Sequence, residues 1–116
     1  MPETIPVESS ILLTVKKLIG GDPTSEHFDV DLITTINAAL ARAFQLGCGD
    51  EVFQIVGESD LWDDLNIPDK TLGMLKTYVH LKTKRVFDPP ATATMVEALE
   101  SSIKELEWCI EVSTHD

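Results

Sequence analysis

The sequence predicts a mainly α protein: a small four-helix domain with a short β-prone arm between the second and third helices. Three observations carry this. Four segments repeat apolar residues three and four positions apart, the period of a helix with one covered face. Helix-stopping residues separate them, namely Gly20-Gly21, Gly47 and Asp88-Pro89-Pro90. Between the second and third segments, Val52, Phe53, Ile55 and Val56 form a run of β-formers bounded by Gly49 and Gly57. The implied division is an extended N-terminal segment at 1–8, one helical domain at 9–112 and a tail at 113–116.

The first helix starts at Ser9 or Ser10, whose hydroxyls suit an N-cap, and buries Ile11, Leu12, Val15, Leu18 and Ile19. Lys16 and Lys17 fall on its outer, solvated side. A loop at 22–27 leads to a second helix with Asp29 as N-cap, Phe28 stapled onto Ile33, and an end near Leu46. Ile33, Ile36, Leu40, Ala43 and Phe44 make its core stripe; Ala38, Ala39 and Ala41 allow close approach of neighbours, and Asn37 and Arg42 mark the wet side.

Segment 47–69 breaks the helical pattern. After the β-prone arm comes an acidic turn, Glu58-Ser59-Asp60-Leu61-Trp62-Asp63-Asp64-Leu65, anchored by Trp62 and Leu65. The six acids Asp50, Glu51, Glu58, Asp60, Asp63 and Asp64 lack the regular ligand alternation and closing bidentate glutamate of a helix-loop-helix calcium site. They also lack the pocket-forming partners of a paired-carboxylate hydrolase.

Pro68-Asp69 opens the third helix, with Asp69 as cap and Leu72, Leu75, Val79 and Val86 as its core stripe. Lys70, Lys76, His80 and Lys84 gather opposite, with His80 as a solvated residue. A second apolar row, Met74, Tyr78 and Leu81, means that this helix is covered on more than one side, within the monomer or by another subunit. The fourth helix begins at Thr94, in capping-box spacing with Glu97, or earlier at Thr92 or Asp88. Its seam is Val96, Leu99, Ile103, Leu106 and Ile110. Trp108 falls opposite the seam and, with Cys109 and Val112, makes the helix end apolar nearly all round; such a surface calls for a partner or for the first helix.

A chain of 116 residues, 43% hydrophobic and 25% charged, is one folded domain with one core. Its formal charge of −11 opposes general affinity for nucleic acid or anionic membrane. No stretch reaches the roughly 18 apolar residues of a membrane span, and the N-terminus does not read as a signal peptide. Cys48 and Cys109 make no metal-ligand spacing and read as cytosolic thiols, with one disulfide between them as the alternative. No nucleophile–base pair, phosphate loop or metal motif suggests an enzyme, a cofactor or a metal site. Two binding modules compete: an acyl-carrier-like bundle, against which stands the inverted order Ser59-Asp60-Leu61 at the attachment turn, and a small acidic helical regulator acting as a dimer.

Taken in order, several stretches resemble the phage head-tail connector family, the helical head-completion adaptors of tailed bacteriophages. They are Ile11-Leu12-Leu13-Thr14-Val15-Lys16-Lys17-Leu18, Phe28-Asp29-Val30-Asp31-Leu32-Ile33, Ile36-Asn37, Gln45-Leu46-Gly47 and Trp62-Asp63-Asp64. The series continues with Lys76-Thr77-Tyr78-Val79-His80-Leu81-Lys82, Phe87-Asp88-Pro89-Pro90, Glu97-Ala98-Leu99 and Ile103-Lys104-Glu105-Leu106-Glu107-Trp108. The resemblance implies a structural adaptor of the virion head-tail interface, made in the host bacterial cytoplasm. It would form a homo-oligomeric ring, dodecameric on the portal, contacting the portal protein above and a tail-side completion or stopper protein below. DNA would pass through its channel without sequence-specific binding, and no membrane would be involved. Carried over from the family, the portal interface is Leu106, Trp108, Ile110 and Val112. Subunit contacts are expected at Lys76, His80 and Lys84 against Asp60, Asp63 and Asp64, with Trp62, Met74, Tyr78 and Leu81 beside them.

Overall fold

The computed structural model describes residues 5–20 and 26–115. Residues 1–4, Gly21 and most of the expected loop at 22–27 lie outside that range. Four helices follow one another, α1 (Ile11–Leu18), α2 (Asp29–Gln45), α3 (Asp69–Phe87) and α4 (Ala93–Thr114), with a single 3-10 turn at Trp62–Leu65. α3 is the central element, packing most against α4 and α2 and less against α1. One continuous core results, built from Ile11, Val15, Ile36, Leu40, Leu75, Val79, Ile103 and Ile110 among others.

The helix starts show which local rules won. Ser10 caps α1, its hydroxyl accepting from the Leu13 N–H at 3.2 Å, and Thr92 caps α4 by the same contact to Met95. Asp29 and Asp69 open α2 and α3 without a side-chain cap. Asp29 instead forms an ion pair with Lys16, which is buried on α1, so the expectation of two solvated lysines there is wrong for Lys16. This pair joins the end of α1 to the start of α2. Phe28 is not a staple: it is exposed, with its ring edge-on to His27. α2 buries Leu32, Ile36, Ala39, Leu40 and Ala43, and places Ile33 and Phe44 at the margin.

The β-prone arm forms no strand. The described residues hold one isolated antiparallel bridge, between Ser10 and Leu61, made by Ile11 N–H to Asp60 O and Trp62 N–H to Ser9 O, each 3.1 Å. Segment 52–56 runs instead along α2, where the Asn37 amide bonds both backbone groups of Ile55. Asn37 is therefore a structural clamp and not a wet-side residue. Beyond it Trp62 enters the core at 2% exposure, its indole N–H donating to Thr14 Oγ1 at 3.2 Å and its ring lying 5.7 Å below the Lys76 ammonium. Burying an indole removes roughly 200 Å² from water, worth about 5 kcal/mol in transfer free energy. That single residue ties the irregular segment to α1 and α3.

The far ends of the hairpin α3–α4 differ. At one end Thr114 donates to Leu46 O at 2.9 Å, and Gly47, at φ +112°, lets the two chains touch; a Cβ there would strike Thr114. Ser113 and Thr71 share a hydroxyl contact at 2.7 Å, so α4 continues past Val112 and docks by its last turn. At the other end α3 and α4 outrun their partners. Val86 and Val96, placed on the core stripes by periodicity, are exposed, as is every residue from 91 to 98. Cys48 is buried and Cys109 half-buried, and both are free thiols.

Replacing Asn37 with alanine strips Ile55 of both backbone partners and is expected to lower stability by about 2 kcal/mol. Urea denaturation checks this; a change below a few tenths would show that water replaces the amide at no cost.

Candidate functional site

α3 exposes one long side, and α4 exposes the side facing away from α3. On α3, Leu72, Leu75 and Val79 face α1 and α2, while Tyr78 is buried toward α4, where its hydroxyl donates to Glu107 Oε2 at 2.6 Å. Arg42 of α2 approaches the same carboxylate at 3.6 Å. Burial, then the Glu107 bond and charge, hold the Tyr78 phenol well above its usual pKa. Lys82 lies over the Tyr78 ring at 5.7 Å, and its pKa is lowered mainly by burial and next by Arg85. Arg85 itself bridges to Glu100 at 3.1 Å. These contacts close the α3–α4 joint and consume two of the cations on α3.

What remains outward on α3 is a stripe of Lys70, Lys76, His80 and Lys84. Lys84 pairs with Asp88 at 3.1 Å one turn on. His80 is not a freely solvated side chain: it is half-buried, its Nδ1 is enclosed without a hydrogen-bond partner, and its pKa is lowered first by burial and then by Lys84. Met74 and Leu81 are half-buried along the edge of this stripe. Of the neighbouring acids, Asp63 is exposed, Asp64 accepts the Leu61 N–H at 3.0 Å, and Asp60 accepts the Val56 and Gly57 N–H groups.

On the outward side of α4, Trp108 is 65% exposed and Val112 lies one turn further along the same face. Leu106 is half-buried. Three expected contact residues are withdrawn as surface groups: Trp62, Tyr78 and Ile110 are buried within the subunit, because the core of this small domain needs their bulk. The sequence reading also missed exposed apolar groups. Met95 in the first turn of α4, and Phe28 and Val30 at the start of α2, are open to solvent. Their signal was positional: each sits within a few residues of a helix end, where periodicity continues but coverage stops.

Among the described residues no three His, Cys, Asp or Glu side chains gather as a metal site, and no helix is long and apolar enough to cross a membrane. Two surfaces keep unspent chemistry: an apolar, aromatic one on α4 and a basic one on α3. A family model described as phage connector protein matches residues 11–116, which is all four helices. Neither a curated protein nor a solved structure matches the chain.

His80 gives a pH test. Folding favours its neutral form, so the unfolded chain binds the extra proton; this contribution is fully in place above the ordinary value of 6.5 and is lost as pH falls below it. The imidazole is expected to titrate below 6.5 by NMR, and His80→Asn to flatten the fall in melting temperature on acidification. A titration at or above 6.5 would show that the ring is open to water.

Proposed function

This chain belongs to the phage connector protein family, and from that membership we propose that it assembles as a ring beneath the portal and continues the DNA channel toward the tail. A connector is a virion component whose work is docking, which accords with surfaces built from an exposed tryptophan and a charge stripe. The observation that carries the proposal is Trp108. A tryptophan left 65% exposed on the outward face of a well-packed helix has no role in the core, and Val112 extends its apolar area along that face. Buried aromatic anchors of this kind dominate protein interfaces. We assign Leu106, Trp108 and Val112 to the portal.

Neighbouring subunits would meet through the stripe of Lys76, His80 and Lys84, edged by Met74 and Leu81, against Asp63, Asp64 and the outer side of Asp60. A ring needs two different faces in contact, and charge of opposite sign fixes their orientation more than their affinity. Lys76 already stands over Trp62, next to the acids of its own subunit. The Lys84 end of the stripe, about 12 Å further along the helix at 1.5 Å per residue, is therefore the part that faces the neighbour's acids. The formal charge of −11 supports a channel wall that does not grip DNA. The ring, dodecameric when templated by the portal, would receive the tail-side completion or stopper protein on its far face.

Electron microscopy of the protein with and without a portal ring tests this directly: density seated beneath the portal is expected, and its absence at saturating protein would overturn the reading. Trp108→Ala is expected to weaken portal binding by about thirtyfold, near 2 kcal/mol. Its melting temperature should stay within a degree or so of the parent, since the side chain packs on little. Replacing Lys76 and Lys84 by glutamine should weaken ring formation at low salt while the monomer stays folded; rings of unchanged stability would remove the stripe from the interface.

A further inference from the structure

Segment 52–56 carries a surface that none of these contacts uses. Its side chains alternate, with Val52, Gln54 and Val56 exposed, Phe53 half-buried and Ile55 buried. A period of two is that of an extended strand. The clamp reinforces it: Asn37 Nδ2 donates to Ile55 O at 3.1 Å and Asn37 Oδ1 accepts from Ile55 N at 2.8 Å, the double exchange an antiparallel neighbour would make. In an extended chain the residues on either side turn their N–H and C=O groups to the opposite edge. On that edge Asp60 Oδ2 takes the Val56 N–H at 2.6 Å, while the backbone groups of Val52 and Gln54 have no hydrogen-bond partner among the described residues. This segment is thus bonded to α2 at Ile55, and its opposite edge carries the unpaired backbone groups of Val52 and Gln54.

We infer that this open edge receives an extended basic segment of a partner protein by strand addition. Charge selects the occupant. Asp50 and Glu51 precede the edge and Glu58 follows it, all exposed, and no lysine or arginine occurs between Arg42 and Lys70. A second copy of the same segment is a poor match: antiparallel pairing sets Asp50 and Glu51 against Glu58, and parallel pairing sets each acid beside its own counterpart. The same acids guard the edge against homotypic association. A strand bearing lysines or arginines meets them with opposite charge, and the exposed Val52 and Val56 offer it apolar contact. Val52 and Gln54 lie apart from α4 and from the α3 stripe, and peptide binding is read on the chain without a portal, so the test is independent of ring formation.

The test uses the full chain and two blocked heptapeptides, one alternating lysine with valine and one alternating glutamate with valine. With the lysine peptide at millimolar concentration, the Val52 and Gln54 amides are expected to gain about fivefold or greater protection from hydrogen exchange; the glutamate peptide should leave them unchanged. Gln54→Pro removes an outward donor at a position whose predecessor is already extended, and should weaken the lysine peptide about tenfold. Gln54→Ala should bind as the parent does, because the contact is made by backbone. Four results would overturn the proposal: no binding of the lysine peptide, binding without protection at Val52 and Gln54, equal binding of the glutamate peptide, or concentration-dependent protection of the same amides without peptide. Since the protection is read on the parent chain, the outcome does not depend on the proline variant folding.

Discussion

A helix covered on two sides has one side left to give to other molecules, and α3 is such a helix. Its coverage by α4 rests on Tyr78, buried completely with its hydroxyl on Glu107. That hydrogen bond lets a polar tip sit where an aliphatic core would not accept it, and it draws Arg42 of α2 to the same carboxylate. Three helices therefore converge on one acidic side chain. The cations of α3 sort themselves around this joint: Lys82 and Arg85 are bent inward to Tyr78 and Glu100, and Lys70, Lys76 and Lys84 are left outward. The basic stripe is what remains after the core has taken its share.

The helices were legible because each has a periodic apolar face and a clear stop, so α2, α3 and α4 lie within a few residues of where the pattern puts them. The double coverage of α3 was also legible, in the second row of Met74, Tyr78 and Leu81, although periodicity left open whether a helix or another subunit covered it. Three features were not. Lys16 with Asp29, and Asn37 with Ile55, are polar contacts between segments distant in sequence, and no local period announces such a pair. Trp62 read both as an anchor of the acidic turn and as a subunit contact; that its indole is spent wholly inside its own subunit was not legible, because the four acids of the turn surround it in sequence while the indole turns inward. A helical wheel gives the direction of a side chain but not the length of its neighbours. Val86 and Val96 point along the core stripes and still meet water, since α3 and α4 extend beyond what covers them.

The candidate surfaces divide the same way. Trp108 was legible as surplus: it falls opposite a regular seam, and a residue the seam does not need is a residue free for something else. Ile110 belongs to that seam and is buried by it. His80 was misread, since a histidine among lysines suggests water; its Nδ1 is enclosed, and that burial, with Lys84 next, disfavours the cation. Sequence spacing records which residues share a face, and the enclosure of one atom on that face is a tertiary property.

Segment 52–56 shows why β propensity without a sheet is still informative. Valine, isoleucine and phenylalanine favour extended backbone because of their stiff side chains, and that preference is satisfied here with one asparagine in place of a partner strand. A side-chain amide can bond only one residue's pair of backbone groups, so the clamp holds the segment at Ile55 and leaves the rest of its ladder unmade. An unmade edge is a liability in solution. Aspartate at position 60 covers its last donor, and exposed acids flank it at both ends. The straightening has already been done by Asn37 and by the burial of Ile55, so a partner strand meets an ordered edge and loses less conformational entropy on binding than it would against a free loop.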